Sequence, residues 1–264
     1  MKPKESLMDA TPPAQPIAYN RWLPYWAVIQ SDMNQTLGSW VYRIWVVVSL
    51  LAATGYLLYR YGLTHEAGIV QPASQLISDL MRWTLLGSVT LIAILCSGTI
   101  SAERGTMADS VLSRGISRHQ YFLGKWHSRL LTVLATFWFL ASAMLAAGYF
   151  LLHEDLSLEG SLMALAGVSA FLVAVISLGV TVSAICNSTL LGVAVLWVLL
   201  YGGSFALSLL PTRYPAPIRL LSNLPYMLKG YYDGQMMLQF MAWAAGISLL
   251  SALVGLIYFA RRDI

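Results

Sequence analysis

The chain has 264 residues, of which 58% are hydrophobic and only 11% charged, a balance that excludes an ordinary soluble globule. Its formal net charge of +4 rests on few groups, so their placement matters more than their sum, and nucleic acid is not implied as a partner. The two cysteines, Cys96 and Cys186, sit near the ends of apolar runs without CxxC spacing, which argues for small buried hydrophobes rather than a disulfide framework or a zinc site. The composition is that of an all-α polytopic membrane protein, because a hydrocarbon core of about 30 Å takes roughly 20 helical residues to cross. The short alternating strands of a β-barrel are missing.

Residues 1–21 carry Pro3, Pro12, Pro13 and Pro16 among scattered charges and lack the apolar core of a signal peptide, which predicts a disordered cytoplasmic tail. Over 22–38 the spacing of Trp22, Trp26, Ile29, Met33 and Leu37 predicts an amphipathic interfacial helix, with Gln30, Asp32, Asn34 and Gln35 on its polar face and the tryptophans at headgroup depth. Transmembrane helices are predicted at about 41–59, 83–100, 130–152, 162–185, 190–210 and 237–260. A polar loop with His65, Glu66, Pro72 and Asp79 precedes the second, and Asn187-Ser188 makes a tight turn into the fifth. The segment 211–235, with Pro211, Pro215, Pro217 and Pro225, is too broken to span and too apolar to be a free loop.

Six spans put both termini on one side. Eleven of the sixteen Lys and Arg residues fall on the side holding the termini and the interval 100–129, and five on the other, so both termini are expected in the cytoplasm. The predicted span interiors contain no Asp, Glu, Lys, Arg or His, whereas ion-coupled carriers keep an ionisable relay at membrane depth. No internal repeat is visible that would suggest an inverted-repeat carrier.

The interval 100–129 is the longest polar and basic stretch between two apolar runs, with Arg104, Arg114, Arg118, Lys125 and Arg129. Gly105 and Gly115 bracket a segment, 106–114, that predicts a short helix on the membrane surface. Ser117 followed three residues later by Gln120 is a capping-box pattern that starts the next helix. Phe122 and Trp126 are expected to anchor that helix at the interface, and Arg129 to snorkel as it enters the third span.

In order, Glu103-Arg104-Gly105-Thr106, Leu112, Ile116-Ser117-Arg118, Tyr121 and Leu123-Gly124-Lys125 resemble the cytoplasmic signature of ABC-2 type permeases, the membrane subunits of ABC transporters. Gly115 stands where that signature usually has proline, and Ser110-Val111 dilutes its double leucine. The six spans, the N-terminal helix, the turn at Asn187, the segment before the last span and the terminal Phe259-Ala260-Arg261-Arg262-Asp263 look like the same family, so the resemblance covers residues 22–264 as one transmembrane domain.

The resemblance implies that 106–114 is the coupling helix seated in a cleft of a separate ATPase subunit. Glu103, Arg104, Gly105, Thr106, Arg114, Gly115, Ser117, Arg118, Gly124 and Lys125 would dock it and transmit force. It further implies a re-entrant segment at 211–235, a second permease subunit as homo- or heterodimer partner, a location in the bacterial inner membrane, and export of an unidentified substrate. The alternative is a non-transporting or mechanochemical ABC membrane component serving an extracytoplasmic partner, as in copper-enzyme maturation or gliding systems.

No catalytic, cofactor-binding or metal-binding residues are expected in this chain. A P-loop needs GxxxxGK[ST] to wrap phosphates and hold magnesium. Gly124-Lys125 fails that pattern twice, being followed by Trp126 and preceded at the required spacing by His119, so ATP and magnesium belong to the partner ATPase. A membrane-embedded hydrolase would need a nucleophile and base at depth, and the Ser and Thr residues of the spans lack a His or carboxylate beside them.

His119 and His127 read as interfacial polar residues. Met227, Met236, Met237 and Met241 would offer soft ligands to Cu(I) or simple packing. Ala166, Ala170 and Ala174 form a small-residue ladder that suits either internal packing or a permease–permease seam.

Overall fold

Without water, a backbone in hydrocarbon satisfies its own N–H and C=O groups only as a helix or a closed barrel, and every long apolar run of this chain is helical. The structure, a computed structural model, describes residues 22–67, 72–101, 116–152, 155–209 and 216–261. The expected 1–21 tail and the 106–114 helix lie outside these residues. We number the helices α1 (Leu23–Gly38), α2 (Trp40–Ala67), α3 (Ala73–Ser97), α4 (Arg118–Leu152), α5 (Leu158–Ile185), α6 (Thr189–Trp197), α7 (Gly203–Ser208), α8 (Pro217–Leu228) and α9 (Gly234–Arg261), with a π-helical turn, Val198–Gly202, joining α6 to α7. Among the described residues, six stretches are long and apolar enough to cross a membrane: Trp40–Leu63, Ala73–Ser97, Arg118–Phe150, Leu158–Ile185, Thr189–Leu207 and Gly234–Arg261.

The helix order agrees with the sequence reading, but several helices outrun the charge-free windows used to find them. α3 begins at Ala73, ahead of the expected 83, because its charges are satisfied in place: Arg82 pairs with Asp79 at 3.3 Å and donates to the Leu221 carbonyl at 2.7 and 3.0 Å. α4 is continuous from Arg118, so the capping box and the third span belong to one helix. Within 211–235 the described residues form a helix, α8, with Pro217 in its first turn and Pro225 inside it, and then the turn into α9.

α5 is the axis of the bundle. Its Gly, Ala and Ser residues let α9, α3 and α4 pack closely around it, with Ala164, Val168, Leu172, Ile176 and Val180 buried. Hydroxyls tie the same seams: Trp126 Nε1 donates to Ser177 Oγ at 2.9 Å, Ser177 and Ser248 share a hydrogen bond at 2.7 Å, and Thr181 Oγ1 donates to the Ser251 carbonyl at 2.7 Å. α2 and α6 lie at the periphery and present Val47, Val48, Leu51, Leu190 and Leu191 outward, a lipid-compatible surface.

At one end of the bundle α8 lies against α5 and α3. It closes with a Schellman turn: Gly230 N donates to the Met227 carbonyl at 2.8 Å and Tyr231 N to the Tyr226 carbonyl at 2.9 Å. Gly230 has φ +90°, which only glycine adopts without strain. Lys229 beside this turn pairs with Asp155 at 2.9 Å, and Asp155 in turn accepts from Ser74 N and Oγ, capping the start of α3. This single carboxylate therefore joins the α4–α5 loop, α3 and α8.

Candidate functional site

The residues 102–115, which carry Glu103, Arg104, Gly105, Thr106, Arg114 and Gly115, lie outside the described part of the chain. The structure does describe the two fixtures between which they run. On the α3 side, Ile100 N and Ser101 N both donate to Ser183 Oγ, at 2.9 and 3.2 Å, and Ser101 Oγ and Thr189 Oγ1 lie 3.3 Å apart. The N–H groups of the turn that follows α3 are thus met by the α5–α6 corner, where Ser188 caps α6 by accepting from Leu191 N.

On the α4 side the capping box forms reciprocally. Gln120 N donates to Ser117 Oγ and Ser117 N to Gln120 Oε1, both at 3.2 Å. The neighbouring Arg118 reaches across to the last turn of α9, its Nη1 donating to the Ala260 carbonyl at 3.2 Å. A guanidinium at a helix C-terminus meets both an orphan carbonyl and the negative end of the helix dipole. Ser117 and Arg118 therefore fix where the segment ends and to which helix that end is tied.

One turn further on, the structure departs from the expected interfacial arrangement. α1 does not turn Asp32 toward water. Val28, Ile29, Asp32 and Thr36 form its buried face against α4, while Trp22, Trp26 and Leu37 are exposed. Asp32 has no exposed side-chain surface, and Lys125 and Arg129 converge on its Oδ1 at 2.8 and 3.1 Å. Arg129 also donates to Thr36 Oγ1 at 2.7 Å, so it is buried in a polar joint and does not snorkel.

Burying one carboxylate alone would cost several kcal/mol, and pairing it with two cations spaced four residues apart on one helix face offsets that cost. Gly124 belongs to the same joint. A Cβ there would stand 2.7 Å from Val28 Cγ1, so glycine is what lets α1 approach closely enough for the ion pairs to form. Phe122, expected at the interface, is fully buried beside Phe259, and Trp126 is half-buried against Ser177. Their apolar bulk fills the space between α4, α5 and α9.

Of the predicted site residues, the structure thus brings Gly124 and Lys125 into the α1 joint, puts Ser117 in the cap and ties Arg118 to α9. Ala174 is buried within the chain and Ala170 packs on its core, so both serve internal packing, while Ala166 is half-exposed. His127 lies edge-on to Tyr25 and Trp126, with Nδ1 2.8 Å from the Leu123 carbonyl, and His119 is exposed. No cluster of three potential His, Cys, Asp or Glu metal ligands occurs among the described residues.

Sequence reasoning missed the Asp32 joint. Its signal was present in two matching four-residue spacings, Asp32/Thr36 and Lys125/Arg129, on helices with two spans between them in the chain. No protein-family model and no curated protein sequence matches this chain.

Proposed function

We propose that this chain is the transmembrane permease subunit of an ABC-2 type transporter, moving its substrate when a separate ATPase subunit hydrolyses ATP. The observation that carries this reading is the order of residues running from the end of the second membrane-spanning helix into the start of the third, Glu103-Arg104-Gly105-Thr106 followed by Ile116-Ser117-Arg118 and Gly124-Lys125. Six apolar helices support it. So do the fixtures at both flanks of the segment, since a segment that receives a push must have ends tied to the helices it moves.

On this reading the α3 end passes displacement to the α5–α6 corner through Ser183 and Thr189. The α4 end passes it to α9 through Arg118, and the Asp32 joint carries α1 along with α4 as one body. The chain's own residues position and transmit; bond chemistry takes place on the ATPase.

The test is ATP turnover of the complex of the full chain with its ATPase in lipid discs. Gly105→Trp and Arg118→Ala are expected to break assembly or to lower turnover about tenfold, and unchanged assembly and turnover in both variants would refute the assignment. Transport of a substrate by the intact complex supports export, whereas ATP turnover without transport supports the mechanochemical alternative.

A further inference from the structure

A cavity of about 250 Å³ opens between α8 and the start of α9, at the end of the bundle away from α1. It lies just below the size range of sites for drug-sized molecules, which suits a small ligand. Its floor is apolar: Leu220, Met227, Met237 and Phe240 are all buried. Its rim carries Tyr226, Tyr231, Tyr232 and Asp233, and among the described residues no Lys, Arg or His lines it.

The rim is built by two local devices. The Schellman turn at Gly230 bonds Tyr231 N to the Tyr226 carbonyl, which fixes the backbone of both residues at the rim although both are mostly exposed, at 62% and 74%. Asp233 then caps α9, with Oδ1 accepting from Gln235 N at 2.9 Å and from Met236 N at 3.4 Å. Only Oδ1 is used, so Oδ2 remains available to a ligand. Tyr232 donates its hydroxyl to Glu159, which orients that ring and adds a second carboxylate nearby.

We propose that this cavity binds a quaternary ammonium group, as in a small choline-like cation or a lipid headgroup. Tyrosine faces attract such a cation through the ring quadrupole, which costs less desolvation than a full ion pair, and the methyl groups suit an apolar floor. Asp233 supplies the counter-charge. The start of α9 carries about half a positive charge, which opposes a cation, but the formal charges of Asp233 and Glu159 outweigh it.

Cu(I) is the other soft cation the methionines suggest, and packing disfavours it. The Met237 sulfur lies 3.3 Å from where a Cβ on Gly167 would stand and its methyl 2.2 Å, so that thioether is packed tightly against α5 where it lines the floor.

The test is equilibrium binding of radiolabelled choline to the full chain in phosphatidylglycerol discs, competed by unlabelled choline or by 3,3-dimethylbutan-1-ol, its uncharged carbon isostere. Choline is expected to compete at least tenfold better. Tyr231→Leu and Asp233→Asn, which retain apolar bulk and the helix cap respectively, should each weaken binding about tenfold, and Tyr226→Phe, which keeps the ring face, should leave it within about twofold.

Repeating the measurement in phosphatidylcholine discs separates the sources: lost binding of free choline assigns the site to the lipid headgroup, and unchanged binding to a soluble cation. Equal competition by the neutral isostere, no saturable choline binding in either disc, or a site that takes Cu(I) and not choline would overturn the proposal. None of these outcomes bears on coupling to an ATPase.

Discussion

Asp32 is the residue on which the α1–α4 joint turns. Removing its charge leaves Lys125 and Arg129 buried with no carboxylate from α1, and breaking a buried ion pair from one side typically costs about 3–5 kcal/mol. Asp32→Asn is therefore expected to destabilise the chain by about 3 kcal/mol in reversible denaturation. Lys125→Met should cost clearly less, because Asp32 keeps Arg129 at 3.1 Å. Equal losses in the two variants would show that the joint does not depend on a shared carboxylate.

The same joint makes a steric prediction. Gly124→Ala places a methyl group against Val28 and should cost about 1–3 kcal/mol by overpacking. Val28→Ala in the same chain should recover part of it, since it removes Val28 Cγ1, the nearest atom at 2.7 Å, while Cβ stays. A double variant no better than the single one would mean that the cost arises elsewhere.

Among the elements, the junction of α3, the α4–α5 loop and α8 should carry a pH dependence whose sign follows from the partners of Asp155. Burial alone would push the Asp155 carboxyl up, but the hydrogen bonds from Lys229 and from Ser74, together with the Lys229 charge, outweigh it and hold the group below its ordinary value of 3.8. The unfolded chain then binds the proton more readily than the folded one. The stabilisation is complete above that ordinary value and is lost as pH falls through the lower folded value. Asp155→Asn should remove about 1 kcal/mol at neutral pH and flatten the acid limb of the stability curve. An acid limb identical to that of the parent chain would place the acid sensitivity in other groups.

At this scale the sequence was most legible where a signal is local. The capping box at Ser117 and Gln120 is present as read, and so is the turn at Asn187. Helix existence followed from apolar length, but helix starts did not. A charged residue ends a hydropathy window whether or not it has a partner, and Arg82 has one on α8, a helix far away in the chain. The orientation of α1 failed for the same reason. Periodicity separates polar from apolar faces, yet only the tertiary partner decides which face is buried, and here two basic residues of α4 made the face with Asp32 the inner one.

Across the whole molecule, the arrangement separates into two ends joined by α4 and α5. At one end α1, the start of α4 and the last turn of α9 are tied together by Asp32 and Arg118. At the other, α8 and the start of α9 form the aromatic cup, tied to α3 by Asp155. The central hydroxyl ladder of Ser177, Thr181 and Ser248 links α5 to α9 between them. A displacement delivered between α3 and α4 would reach the cup through helices that span the full height of the bundle, with the π-helical turn at Val198–Gly202 as the one described break in a spanning helix.

The central claim is that an ATPase subunit seats on the segment between α3 and α4, and the most direct measurement of it is a site-directed crosslink. Asp109→Cys in a full chain whose Cys96 and Cys186 are replaced by Ala provides one reactive thiol. After crosslinking in native membranes with a short thiol-to-amine reagent, mass spectrometry identifies the attached chain. The account predicts a subunit bearing a P-loop, crosslinked from position 109 and not from a thiol placed at exposed Tyr231. A crosslink to a chain without a nucleotide-binding motif, or equal yields from both positions, would contradict it.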